Sequence, residues 1–204
     1  MQDLRDHWNR IYATKSSTDV SWYERSPITS LRLIQSLVSG SSAAVIDAGG
    51  GASSLVDRLL GSGLADLTVV DISERALNQA RLRLSDQASA VAFVVADVLT
   101  WEPGRRYDIW HDRAVFHFLT YPADRDQYID TACRAVRDGG VAVIGTFAED
   151  GPTDCSGLSV SRYSPLELTT AFSPYFSLVS YEREEHVTPG GVVQPFTWVV
   201  LRRT

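Results

Sequence analysis

The sequence predicts an α/β fold: one doubly wound, mostly parallel sheet that closes with a C-terminal antiparallel hairpin. Three observations predict it. Between about residues 43 and 148, short apolar runs alternate with amphipathic helical patterns. Alternating strands and helices build βαβ units, and these place parallel strands under helices on both faces. After residue 150 the alternation stops, and two extended runs flank the turn Thr188-Pro189-Gly190-Gly191. A turn this short makes its two strands antiparallel neighbours.

A chain of 204 residues has the length of one domain. Residues 1–204 therefore read as one domain with an N-terminal cap over 1–42, a core over 43–148, and a loop and hairpin over 149–204. In the cap, Leu31, Ile34, Leu37 and Val38 share one helical face, and Ser39-Gly40-Ser41-Ser42 ends that helix. Ala43–Asp47 reads as a first strand, and Gly49-Gly50-Gly51 as a turn. Ser53–Leu60 follows as a helix stopped by Gly61 and Gly63. Leu67–Val70 is the second strand. Ser73 is placed to cap a helix whose Ala76, Leu77, Ala80 and Leu84 share a face. Val91–Val95 and Tyr107–Trp110 are the third and fourth strands. A helix from Asp124 to Arg137 ends at Gly139-Gly140, and Val141–Phe147 is the fifth strand. A polar loop over 150–164 leads to a short helix near Pro165–Phe172, then to Phe176–Arg183 and Val192–Leu201.

Composition narrows the function. Hydrophobic residues make up 44% and charged residues 22%, which is globular and excludes a disordered or fibrous chain. The net charge of −6, with arginines scattered without a run, argues against nucleic acid as the main partner. No apolar run is long enough to span a bilayer, and the N-terminal MQDLRDHWNRIY is too polar for a signal peptide. Cys133 and Cys155 cannot make a disulfide framework, so a reducing, cytoplasmic compartment is expected.

The informative stretch is Val45-Ile46-Asp47-Ala48-Gly49-Gly50-Gly51-Ala52-Ser53. It joins a strand to a helix, where doubly wound sheets bind ligands. Glycines there let a ligand approach the backbone. A dinucleotide fingerprint, G-x-G-x-x-G, would need a glycine at Ser54. The pattern present is D-x-G-x-G, with Asp47 at the strand end. A carboxylate at that point suits a ligand with an ammonium group. Asp71 ends the second strand, where a carboxylate accepts from two ribose hydroxyls. Asp97 ends the third and is placed to accept from an adenine amine. Three acids at successive strand ends lie along one edge of the sheet.

The order Asp47, Gly49-x-Gly51, Asp71, Asp97 and Tyr107-Asp108-Ile109-Trp110 resembles the class I S-adenosylmethionine-dependent methyltransferases over about 43–148. That resemblance implies a Rossmann-like seven-stranded sheet and S-adenosylmethionine as cofactor. It also implies Gly49 and Gly51 under the methionine part, Asp71 and Ile72 at the ribose, and Asp97 with the Val98 backbone at the adenine. A narrower resemblance, to the small thiopurine and lysine methyltransferases, is carried by His7–Tyr12, Ser21-Trp22-Tyr23 and His111–Phe118. In the lysine enzymes the last segment often reads D-K/R-G-x-F-D. Here Ala114 stands for the glycine and His117 for the second acid.

Methyl transfer is an in-line displacement that needs alignment and exclusion of water. A base is required only when the nucleophile arrives protonated. The candidate bases are His111, Asp112 and His117, read as following the fourth strand, with His117 facing the substrate. These three show no recognisable metal-ligand spacing, so no metal is expected. Trp8, Tyr12, Trp22 and Tyr23 read as a lid whose aromatic faces attract a sulfonium. Nothing near Cys155 but Arg162 would activate its thiol, and Glu184-Glu185-His186 reads as a solvated strand end. The motif Asp/Asn-Pro-Pro-aromatic of nucleobase methylation is absent after the fourth strand. The function expected is therefore methyl transfer to O, N or S of a small molecule. The alternatives are a protein lysine methyltransferase and a non-catalytic binder of the cofactor or its product.

Overall fold

The computed structural model describes residues 2–38 and 40–204. Two helices come first, α1 (Gln2–Thr14) and α2 (Ile28–Leu37). The core then alternates β1 (Ala44–Ala48), α3 (Leu55–Gly61), β2 (Asp66–Asp71), α4 (Glu74–Leu84) and β3 (Val91–Val95). After β4 (Tyr107–Arg113) come α5 (Pro122–Ala135) and β5 (Val136–Phe147). A two-residue pair, β6 (Asp154–Cys155) and β7 (Leu158–Ser159), leads to α6 (Pro165–Phe172). β8 (Phe176–Val187) and β9 (Val193–Arg203) close the chain.

The seven-stranded sheet has the order β3-β2-β1-β4-β5-β9-β8. Strands β1 to β5 run parallel, and β9 lies antiparallel to both β5 and β8. The chain reverses strand order beside β1, between β2 and β4. This is the switch point at which such sheets open a crevice beyond the carboxyl ends of their strands. One face carries α5 and α6, packed through Tyr128, Ile129, Leu168 and Phe172 onto Trp110 and Ile144. The other carries α2, α3 and α4, packed through Ile34, Leu59 and Leu77 onto Val45, Val69 and Trp198. No described helix is long and apolar enough to cross a membrane.

Most elements follow the local chemistry. Ser73 caps α4 by accepting from the Ala76 backbone N–H at 3.2 Å. Ser164 and Glu167 form a reciprocal capping box on α6, and Pro165 fits its first turn.

Two departures from the sequence reading matter for the site. β4 does not stop at Trp110 but runs to Arg113, so His111 and Asp112 lie inside the strand. Polar His-Asp-Arg looks like a strand exit, but the first two side chains find buried partners and the ladder to β5 continues to Gly145. The hairpin strands are also longer than expected. Along β8, Glu184 accepts from the Trp198 indole at 2.7 Å, and His186 meets the Ser21 carbonyl at 2.7 Å. Glu184 and His186 are therefore pinned to the core and the N-terminal segment, while Glu185 between them faces solvent.

Candidate active site

At the carboxyl ends of the parallel strands lies a cavity of about 170 Å3. Gly49, Asp71, Ile72, Asp97 and Val98 line it, from the ends of three successive strands, β1, β2 and β3. Trp8 and Tyr12 from α1 cover it, together with Trp22. A smaller cavity of about 70 Å3 adjoins it over the glycine turn, lined among others by Asp47, Gly50, Ser53, Glu24 and His111. Gly49, Tyr12, Trp22 and Arg113 line both. Of the eight residues expected to hold a cofactor, Trp22, Asp47, Gly49, Asp71, Ile72, Asp97 and Val98 line these two adjoining cavities. Gly51 alone among them lines neither cavity, lying beneath Tyr12.

The glycine turn is tightly built. Gly49 and Gly51 take φ of +68° and +50°, the left-handed region that other residues avoid. A Cβ on Gly51 would stand 2.8 Å from the Tyr12 hydroxyl and 3.2 Å from Asp71 Oδ2. The turn thus lies directly under the lid and against the second acid.

Asp71 is enclosed. Its carboxylate accepts from the Ser73 backbone N–H at 2.7 Å and from the Gly51 N–H. Burial, helped by the nearby Asp47 charge, still pushes its carboxyl up to about 7. A desolvated carboxylate beside a cavity has unused acceptor capacity, which suits hydroxyl donors from a ligand. Asp97 accepts from the Leu99 N–H at 2.9 Å.

Asp47 and His111 sit side by side in the β1–β4 register. His111 Nδ1 is 2.7 Å from Asp47 Oδ1, and Nε2 is 2.9 Å from the Ser30 hydroxyl of α2. Its ring stacks on Trp198 at 5.9 Å. All three polar groups are buried. The chain from α2 through His111 fixes the orientation of Asp47.

The other two candidate bases stand apart from the cavities. Asp112 points to the opposite face of the sheet. There it accepts from the Val115 and Phe116 N–H groups at 2.8 and 3.0 Å and from the Tyr128 hydroxyl. Burial raises its carboxyl to about 6, against those three donors. Its contacts hold the turn in which Ala114 takes φ of +72°. His117 is fully enclosed beside Phe118 and Phe147, ring centroids at 4.5 and 4.7 Å. Its Nδ1 accepts from the Phe147 N–H at 3.4 Å. Burial, and then the Arg113 charge, lower its pKa to about 3.

A measurable consequence follows for stability. His117 takes up a proton more readily unfolded, near pH 6.5, than folded, near pH 3. Its contribution to stability is therefore present above pH 6.5 and lost as pH falls toward 3. His117→Phe should flatten the acid side of the stability curve by up to about 1.4 kcal/mol per pH unit, read by urea unfolding between pH 7 and 4. Parallel curves for variant and wild type would contradict this.

Sequence reasoning missed three site residues: Arg113, Ser30 and Tyr12 in its contact with the glycine turn. Arg113 follows His111 by two along a strand, so it takes the same face. Recognising that β4 extends through it would have found it. Nothing local marks Ser30, which its partner His111 brings in from 81 residues away.

Comparison with known proteins agrees with this geometry. A family model described as a methyltransferase domain matches residues 45–140. Residues 45–140 carry a methyltransferase domain. Structural neighbours of this chain are crystallised with S-adenosylmethionine or S-adenosylhomocysteine. The 1,6-didemethyltoxoflavin-N1-methyltransferase of Burkholderia thailandensis, solved with 1,6-didemethyltoxoflavin and S-adenosylhomocysteine, superposes with a TM-score of 0.74 at 21% identity over 98% of this chain and 87% of that one. The N-methyltransferase NodS of Bradyrhizobium japonicum, with S-adenosylhomocysteine, gives 0.71 at 18% over 97% and 99%. A structure concerned with conversion of a disulfide bond into a thioacetal group during echinomycin biosynthesis gives 0.77 at 22% over 100% and 93%. At these identities the likeness is one of fold. No curated protein matches the sequence. The methyltransferase domain has the seven-stranded sheet and terminal antiparallel pair that its sequence predicts.

Proposed function

We propose that this methyltransferase acts on a small molecule, moving the methyl group to an O, N or S atom. The observation that carries the reading is the cavity itself. It is covered by aromatic side chains and continues past the cofactor residues to Phe118, Leu119 and Cys155. A covered, mostly apolar chamber of about 170 Å3 suits a small guest better than a folded protein surface. Relatives of the same fold act on small molecules by their descriptions, as the toxoflavin enzyme does. The narrower likeness to lysine and thiopurine enzymes rests on residues alone.

In this reading Asp71 accepts from the ribose hydroxyls, with Ile72 beside it, and Asp97 and the Val98 backbone meet the adenine. Gly49 and Gly51 leave room for the methionine part, and Asp47 faces its ammonium group. The bound cofactor supplies an electrophilic methyl on a sulfonium. Trp8, Tyr12 and Trp22 exclude water and turn their rings toward the cation. His111 acts by positioning Asp47, while Asp112 and His117 support the turn that follows β4. Catalysis is then alignment and desolvation more than proton abstraction. The free thiols Cys133 and Cys155 fit a reducing, cytoplasmic setting.

The test is an acceptor screen with methyl-labelled cofactor. A cell extract is split into small-molecule and protein fractions, and each is offered to the protein. Label in the small-molecule fraction is expected. Label confined to protein lysines would replace this reading with the protein lysine methyltransferase. Cofactor binding without label in either fraction would favour a non-catalytic binder.

A further inference from the structure

We infer that the acceptor presents its attacking atom as an anion, and that Arg113 is the residue that holds it so. The inference rests on the small-molecule methyltransferase reading above and names the acceptor's chemical class: a thiolate, or the anion of an acidic phenol or N–H heterocycle.

The first observation is the state of Arg113. It stands at the end of β4 in the wall common to both cavities, with its side chain only 10% exposed. Its Nη1 donates to the Trp22 carbonyl at 3.2 Å. Its Nε is 3.0 Å from Glu24 Oε2, and its guanidinium lies 4.5 Å over the Phe196 ring. Nη2 is buried and has no partner. A buried guanidinium N–H without an acceptor is costly, and a small turn of the side chain toward the cavity would let a ligand anion satisfy it. Glu24 engages the Nε edge of the guanidinium and leaves Nη2 without an acceptor.

The second observation is what else lines the larger cavity. Its titratable groups are Asp71, Asp97, Asp124, Tyr12, Cys155 and Arg113. Asp71 and Asp97 belong to the cofactor. Burial raises both the Tyr12 phenol and the Cys155 thiol, so each keeps its proton. Asp124 sits in the first turn of α5. His117 and Asp112 do not reach the cavity. Asp124 is only half-buried, whereas Arg113 is enclosed and also faces the smaller cavity, so the side chain best placed to act on the acceptor is a cation.

A cation and no base suit an acceptor that is already ionised. An opposite charge within about 4–6 Å lowers an acid's pKa by about 1–3 units. The step balances without a proton. The acceptor's lone pair forms the new bond to the methyl carbon. The carbon–sulfur bond of the sulfonium breaks, and its electron pair stays on that sulfur. Anion and sulfonium become a neutral methylated product and a neutral thioether.

The test uses the intact protein with S-adenosylhomocysteine and 4-nitrophenol, whose anion is coloured. Bound 4-nitrophenol should ionise about 1–3 pH units lower than the free phenol. Arg113→Gln should abolish that shift, and Arg113→Lys should restore part of it. In turnover with S-adenosylmethionine, thiophenol should be methylated at least about a hundredfold faster than benzylamine, which arrives protonated and would need a general base. Asp124→Asn should leave thiophenol turnover unchanged. The inference is overturned if Arg113→Gln keeps the full shift, if benzylamine matches thiophenol, or if Asp124→Asn abolishes turnover. It is also overturned if Arg113→Gln loses S-adenosylhomocysteine binding by calorimetry, because the guanidinium would then hold the cofactor's carboxylate. Should Arg113→Gln fail to fold, Arg113→Lys and the wild-type titration still decide. Failure of the small-molecule reading would appear separately, as no label in that fraction of the extract.

Discussion

Asp71→Asn will bind S-adenosylhomocysteine about ten- to a hundredfold more weakly than wild type at pH 8, yet melt at a higher temperature without ligand. Both effects come from one enclosed carboxyl. Burial raises it to about 7 from 3.8, so the folded protein holds the proton more tightly than the unfolded chain. The stability from this group is complete below about pH 4 and lost as pH rises through 7. At pH 8 the ionised side chain is a burden that asparagine removes. The same ionised side chain is what two ribose hydroxyls would stabilise, by about 1.5–3 kcal/mol for hydrogen bonds to a charged group. Wild-type affinity should accordingly fall as pH drops below about 7, by up to tenfold per unit. Calorimetry at pH 6 and 8 and thermal melts of both proteins check this. Equal affinities would remove Asp71 from the ribose site.

Gly50→Ala should be more damaging. The added Cβ would lie 2.3 Å from Asp47 Oδ2 and 2.8 Å from Val69 Cγ1. Asp47 cannot turn aside cheaply, because His111 holds its other oxygen at 2.7 Å and Ser30 holds His111 at 2.9 Å. Relief must come from the backbone of the glycine turn, the surface on which the methionine part of the cofactor is proposed to rest. We expect cofactor binding to fall by more than about a hundredfold, with an overpacking cost of about 1–3 kcal/mol in stability. Gly104→Ala, where nothing lies within 4 Å, is the matched control. Retained affinity in a folded Gly50→Ala would show that the turn can shift without harm.

Much of this was legible in the chain because its signals are local. Period-two and period-3.6 apolar patterns, the Ser73 cap and the D-x-G-x-G turn each act over a few residues. Together they placed five parallel strands and brought Asp47, Asp71 and Asp97 to one edge. The end of β4 was illegible for the opposite reason. His111 and Asp112 are tolerated inside a strand because Ser30, Asp47 and Tyr128, distant in sequence, meet their hydrogen-bonding needs. Polarity alone says loop there, and only tertiary partners say strand. His117 was misjudged in the same way. A histidine after a strand looks available, but its burial depends on Phe147 of the next strand. The β6–β7 pair is two residues per strand, too short for any period to register.

The Ser73 hydroxyl serves two elements at once. It accepts from Ala76 N to start α4, and it donates to Asn9 Oδ1 of α1 at 2.8 Å. Gln79 of α4 adds a second tie, to the Tyr12 carbonyl at 2.9 Å. Fraying the first turn of one helix and lifting the other off the cavity are thus a single cooperative opening. In native-state hydrogen exchange the amides of α1 and the first turn of α4 should share one opening free energy, below that of the sheet. The residence time of a spent ligand would then be set by how often these two ties let go together.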